Sequence, residues 1–175
     1  NLKMHIDGAR IFNAAVVLNT TVKKLAENAD SISCCLSKGL SAPVGSLIMG
    51  DHDFIYNARR LRKSLGGGMR QSGILAAAGI YSFENLIDRL EEDHDNAQLL
   101  AKKLMEIDEI QLDIDRVYTN IIFFNLQNTE IRDEELISEL LNNNIKIDSK
   151  GNRKFRMVTH YGFEKDDIAV VINVD

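Results

Sequence analysis

Leu2, Met4 and Ile6 alternate with polar neighbours up to Asp7-Gly8, the period of a strand that runs into a turn. Residues 9–18 are apolar and open on helix formers, which predicts a helix, and a shorter helix is expected over residues 22–28. Strand character returns at residues 31–37. The stretch between these two strands is long enough for a βαβ crossover, so they are expected to lie parallel. Residues 45–50 (GSLIMG) predict a third strand that pairs with the second as a hairpin or near neighbour.

The pattern then becomes helical. Residues 54–65 form a basic amphipathic stretch containing Arg59, Arg60, Arg62 and Lys63, and Gly66-Gly67-Gly68 closes it. Residues 71–79 are mostly small, as in a helix pressed closely against a sheet or another subunit. Leu86, Leu90, Ala97, Leu100 and Leu104 recur at helical steps, predicting one long helix over residues 83–105 that can bridge two domains. After it the rhythm changes. A strand is expected at residues 116–126, a helix with an acidic first turn at 133–143, a short strand at 145–147, a strand at 154–159 and a helix from 164. The fold class is therefore α/β: residues 1–107 as part of a larger domain, with a mainly parallel sheet, helices and the bridging helix, and residues 108–175 as a small α+β domain.

Composition narrows the function classes. A chain of 175 residues with 45% hydrophobic and 27% charged residues has a real core and is not disordered. Its apolar runs are far too short for a membrane helix. The net charge of −5 and pI near 5.4 argue against nucleic acid as a partner. Cys34 and Cys35 are adjacent and staple no loop, so they read as buried strand residues in a reducing, cytoplasmic protein. No metal-ligand spacing is present, and His52 and His94 read as surface residues. Asn1 is not an initiator methionine, and apolar residues continue to the other end of the chain; both suggest a piece of a longer polypeptide.

Two polar residues fall where strands should end, Asp7 and Lys38. In open α/β sheets ligands bind outside the carboxyl ends of the strands, so an acid and a lysine delivered by one βαβ unit face the same crevice. Pyridoxal phosphate (PLP) chemistry uses such a pair: a lysine that bonds the cofactor aldehyde, and an aspartate that keeps the ring nitrogen protonated. By spacing alone, Asp-Gly is more often a turn and a lysine after serine is ordinary. The wording of the sequence adds to the spacing. HIDGARIFNAA (5–15), SKGLSAPVGSLIMG (37–50), RKSLGGGMRQSGILAAAGI (62–80) and RMVTHYG (156–162), in that order, resemble the threonine aldolases of the aspartate-aminotransferase-like, fold-type-I PLP superfamily.

The resemblance implies the C-terminal part of a PLP-dependent transferase-like large domain followed by the small domain. It implies retro-aldol cleavage of L-threonine or L-allo-threonine, a β-hydroxy amino acid, to glycine and acetaldehyde. Lys38 would hold PLP as a Schiff base, Asp7 would pair with the pyridine nitrogen, and Arg10 would lie near the cofactor's phenolic oxygen and the substrate carboxylate. Arg156 would be the second carboxylate-binding arginine, gripping through two parallel bonds. Arg70, with Lys63, would reach the cofactor phosphate or active site of a neighbouring subunit in a homodimer or homotetramer. His5, on the same side of its strand as Asp7, is an accessory candidate, and His160 would line the edge of the cleft. Bland readings stand beside these. Arg10 and the Arg59–Lys63 cluster could be solvated helix residues, and alternation alone leaves the face of Arg156 open.

A phosphate cup, a ring-stacking residue and the hydroxyl base are missing from the sequence. In the family they lie upstream, so the chain is expected not to turn over substrate alone. The alternatives are another fold-type-I PLP enzyme, such as a β-eliminating lyase or aminotransferase, or a non-catalytic oligomerisation module.

Overall fold

In the computed structural model, which describes residues 2–127 and 130–173, strands β1 (His5–Asp7) and β2 (Ser31–Cys35) run parallel. Ile6 stands opposite Ile32 and Asp7 opposite Ser33. The chain between them carries α1 (Ile11–Val17) and α2 (Val22–Leu25), the expected crossover. β3 (Ser46–Gly50) joins the other edge of β2 antiparallel, with Cys34 opposite Leu47. The sheet, of order β1-β2-β3, is therefore mixed rather than mainly parallel. The loop from β2 to β3 is too short for a parallel crossover, so the chain doubles back.

Helix α1 starts at Ile11, later than the pattern predicts, because Gly8, Ala9 and Arg10 form a turn. Ile11 N–H donates to Gly8 O at 3.0 Å, while Gly8 N–H is committed to Ser33 O at 2.8 Å. α3 (His52–Ser64) starts earlier than expected because Asp51 caps it, accepting from Phe54 N–H at 2.8 Å. Its end is a Schellman turn: Gly67 N–H reaches Arg62 O and Gly66 N–H reaches Lys63 O, with Gly66 at φ +83°.

The long helix expected over residues 83–105 is two helices, α4 (Gly73–Asn85) and α5 (Leu90–Leu104). Near the end of α4, Ser82 Oγ donates to Ala78 O and Asn85 Nδ2 to Tyr81 O, side-chain bonds that compete with the backbone ladder.

By internal packing the chain divides into two units, Asn1–Leu90 and Glu91–Asp175. In the first, Ile11, Ile32 and Cys34 form one small core, and Leu36, Leu40, Ala42 and Leu90 form another with Phe12, Phe83 and Ile87 against it. Much apolar surface in this unit is uncovered. Every residue of β3 is exposed and α3 buries none.

The second unit is an antiparallel sheet of order β4-β5-β7-β6. Its strands are β4 (Ile110–Gln111), β5 (Ile121–Leu126), β6 (Asp148–Ser149) and β7 (Lys154–Val158). Its helices are α5, α6 (Asp133–Asn142) and α7 (Lys165–Ile172). Ala97, Leu100, Ala101 and Leu104 of α5 pack with Ile122, Phe124, Phe155, Met157 and Ile168, so the apolar stripe of α5 serves this unit. β5 is shorter than expected: a turn of 3₁₀-helix occupies Ile114–Arg116, and the strand begins only at Ile121. The short strand expected at 145–147 falls instead at Asp148–Ser149, where β7 offers hydrogen-bond partners. No helix among the described residues is long and apolar enough to cross a membrane.

Candidate active site

Asp7 is the last residue of β1, and its side chain is exposed. The backbone immediately after it is fixed. Gly8 is buried, bonded to Ser33 O, and a Cβ there would stand 2.8 Å from that oxygen, so only glycine allows β1 to end this close to β2. Lys38 lies just beyond the end of β2 and is also exposed. It opens a turn closed by Ser41 N–H to Lys38 O at 2.8 Å, with Leu36, Leu40 and Ala42 buried around it. Gly39 is pressed inward: a Cβ there would meet Leu90 Cδ2 at 2.8 Å and Asn13 Oδ1 at 3.1 Å. A carboxylate and an amine are thus presented to solvent beyond the carboxyl ends of two adjacent parallel strands, each on backbone that close packing immobilises. Sequence alone marked the two charged residues but not the glycines that hold them.

Arg10 is the N-cap residue of α1 and partly buried, rather than inside the helix expected over residues 9–18. His5 bonds through Nδ1 to Ser31 Oγ at 2.8 Å, its partner across the β1–β2 pair. Lys63 is on the exposed α3, and its side chain lies across the glycine turn, where a Cβ on Gly68 would meet Lys63 Cδ at 2.8 Å. Arg70 is exposed in the segment that follows.

Arg156 belongs to the second unit. On β7, Phe155 and Met157 face the core, so alternation sends Arg156 to the opposite face, which settles what the sequence left open. The residue directly across in β6 is Asp148, and Arg156 Nη2 pairs with Asp148 Oδ2 at 2.6 Å while Nε is buried with no hydrogen-bond partner among the described residues. Lys150 pairs with the same carboxylate oxygen. Lys150, first, and Arg156 hold the Asp148 carboxyl below its ordinary range. Asp148 and Lys150 are site neighbours that the sequence reading missed. The β6–β7 pairing was the only available signal.

His160 is exposed and its ring bonds to Tyr161 O. His52 is exposed as expected, but His94 is 7% exposed and therefore not a surface residue. The buried face of α5 runs Leu90, His94, Ala97 and Ala101, so its helical spacing carries His94 inward with the apolar residues. Burial pushes the His94 pKa down, against the pull of Asp93, Asp95 and Glu91. Cys34 and Cys35 are free thiols; Cys34 is buried and Cys35 partly so, and burial raises the Cys34 pKa.

Comparison with known proteins decides the family. The family described as "Beta-eliminating lyase" matches residues 1–129. The chain belongs to the beta-eliminating lyase family. That match includes Asp7, Arg10, Lys38, Lys63 and Arg70. Among relatives, this beta-eliminating lyase family member is 44% identical over 173 residues to the low specificity L-threonine aldolase of Escherichia coli (strain K12), covering 98% of this chain and 49% of that protein. It is 41% identical over 168 residues to low-specificity L-threonine aldolase 1 of Arabidopsis thaliana, covering 95% of this chain and 47% of the relative. Its fold matches the solved threonine aldolase of Leishmania major with a TM-score of 0.73 at 22% identity, over 99% of this chain and 51% of that one. The chain spans about half the length of the curated relatives it matches.

Proposed function

We propose that this chain is the lysine-bearing part of a PLP-dependent lyase that cleaves L-threonine and L-allo-threonine to glycine and acetaldehyde. The observation that carries this reading is the exposed Asp7 carboxylate and Lys38 amine beyond the ends of adjacent parallel strands, inside the family match. The donor set suits the cofactor: an amine for its aldehyde, a carboxylate for its ring nitrogen, and guanidinium groups for the anionic groups around it.

When bound, PLP supplies an electron sink for the pair released as a Cα bond breaks. Lys38 is the amine that bonds the cofactor aldehyde. Asp7 keeps a proton on the ring nitrogen, and the turn at Gly8 holds it in place. Arg10 lies on the same turn and serves the phenolic oxygen and the substrate carboxylate. Arg156 is the carboxylate-binding arginine of the second unit, a role that rests on its place in the RMVTH block. Its planar fork fixes the carboxylate, and hence which bond at Cα is aligned for cleavage. His5, anchored on Ser31, supports the β1 end, while Lys63 and Arg70 serve the cofactor phosphate of a neighbouring subunit. The uncovered apolar faces of β3, α3 and α4 favour a homodimer or homotetramer in which these surfaces are covered.

The family name favours a second reading, in which a bond at Cβ is broken by elimination. Product analysis separates the two. The whole protein, given PLP and L-threonine, is expected to release glycine and acetaldehyde in equal amounts. A keto acid with ammonia in their place would overturn the aldolase reading and leave the lyase family intact.

A further inference from the structure

The turn after the Arg156 strand is held at both ends by buried polar groups of its own unit. Thr159, just past β7, is 1% exposed. Its N–H donates to Asn120 O at 3.0 Å, its carbonyl accepts from Asn120 Nδ2 at 2.8 Å, and its Oγ1 donates to the backbone carbonyl of Asp93 at 2.5 Å. At the far end the Phe163 carbonyl accepts from Asn96 Nδ2 at 2.9 Å. Between them Phe163 N–H closes on His160 O at 2.9 Å with Gly162 at φ +85°, the arrangement of a type II turn. Its tip presents His160 and Tyr161 to solvent.

Asn96 is 1% exposed, and its Oδ1 has no hydrogen-bond partner among the described residues. One hydrogen bond made and one buried acceptor left dry nearly cancel, so this side chain adds little to stability. An apolar side chain of similar size would suit such a place at least as well. What asparagine supplies, and leucine does not, is a donor that fixes the Phe163 carbonyl against α5.

We propose that Asn96 is a positioning residue which, with Thr159 as its counterpart, clamps the 160–163 turn to α5 and so fixes the end of the strand that carries Arg156. The consequence for substrate rests on the reading of Arg156 given above; the clamp itself does not.

The test compares the whole protein loaded with PLP with its Asn96→Leu and Thr159→Val variants. Amide exchange at Tyr161, Gly162 and Phe163 is expected to quicken about tenfold or more in both, while exchange in β5 stays unchanged. Asn96→Leu is expected to keep its Tm, and to raise KM for the amino acid about fivefold with kcat nearly unchanged. Turn amides that stay as slow as in the parent overturn the proposal. So does faster exchange spread evenly over the unit, which marks Asn96 as a packing residue only. Should the whole protein bind no cofactor and cleave no amino acid, the reading of Arg156 falls, and the exchange comparison still decides the clamp.

Discussion

Gly8 donates its backbone N–H to the carbonyl of Ser33 at 2.8 Å, and a Cβ added to Gly8 would stand 2.8 Å from that same oxygen. The obstacle is backbone in a parallel strand pair, so it cannot rotate away. Gly8→Ala is expected to lose about 1–3 kcal/mol of stability. Urea unfolding of this chain measures that loss. In the whole protein the same change should weaken cofactor loading, because the Asp7 end of β1 is displaced.

Arg156 pairs with the Asp148 carboxylate through Nη2 at 2.6 Å. In its proposed role Arg156 grips the substrate carboxylate through two parallel donors, which a lysine at this position cannot offer. Arg156→Lys should therefore weaken substrate binding by about 1.5–3 kcal/mol, roughly 10- to 100-fold in KM. The visible absorbance of bound cofactor should be unchanged. Steady-state kinetics beside a cofactor titration would check both halves of that expectation.

His94 gives the second unit an acid sensitivity. Burial holds its folded pKa below the ordinary value of 6.5, so between the two values the unfolded chain binds more protons than the folded one. Stability then rises with pH through that interval and declines as the pH falls below about 6.5. Melting curves at stepped pH should show the decline in the parent chain and a flatter dependence in His94→Gln.

Much of the candidate site is legible because its polar residues sit at the ends of strongly patterned elements. Asp7 ends one strand and Lys38 follows the end of the next, and the apolar alternation and crossover length of those strands dictate parallel pairing, which the structure bears out. Gly8 is legible only as a turn residue and Gly39 not at all, since close approach to Ser33, Leu90 and Asn13 depends on chain segments remote in sequence. The break between α4 and α5 left no glycine or proline, and Leu86 and Leu90 kept helical spacing across it, so periodicity read straight through. The polarity of His94 suggests a solvated residue, but its helical spacing from Leu90 and Ala97 places it on the buried face. The Asp148–Arg156 pair depends on strand register, which the short β6 does not announce.

Borohydride reduction fixes PLP to whichever lysine holds its aldehyde, and so decides whether that lysine is Lys38. After reduction of the PLP-loaded whole protein and peptide mapping, the pyridoxyl mass is expected on Lys38 alone, and none in Lys38→Ala. A label on Lys63 or any other lysine, or no label in the parent protein, would contradict it.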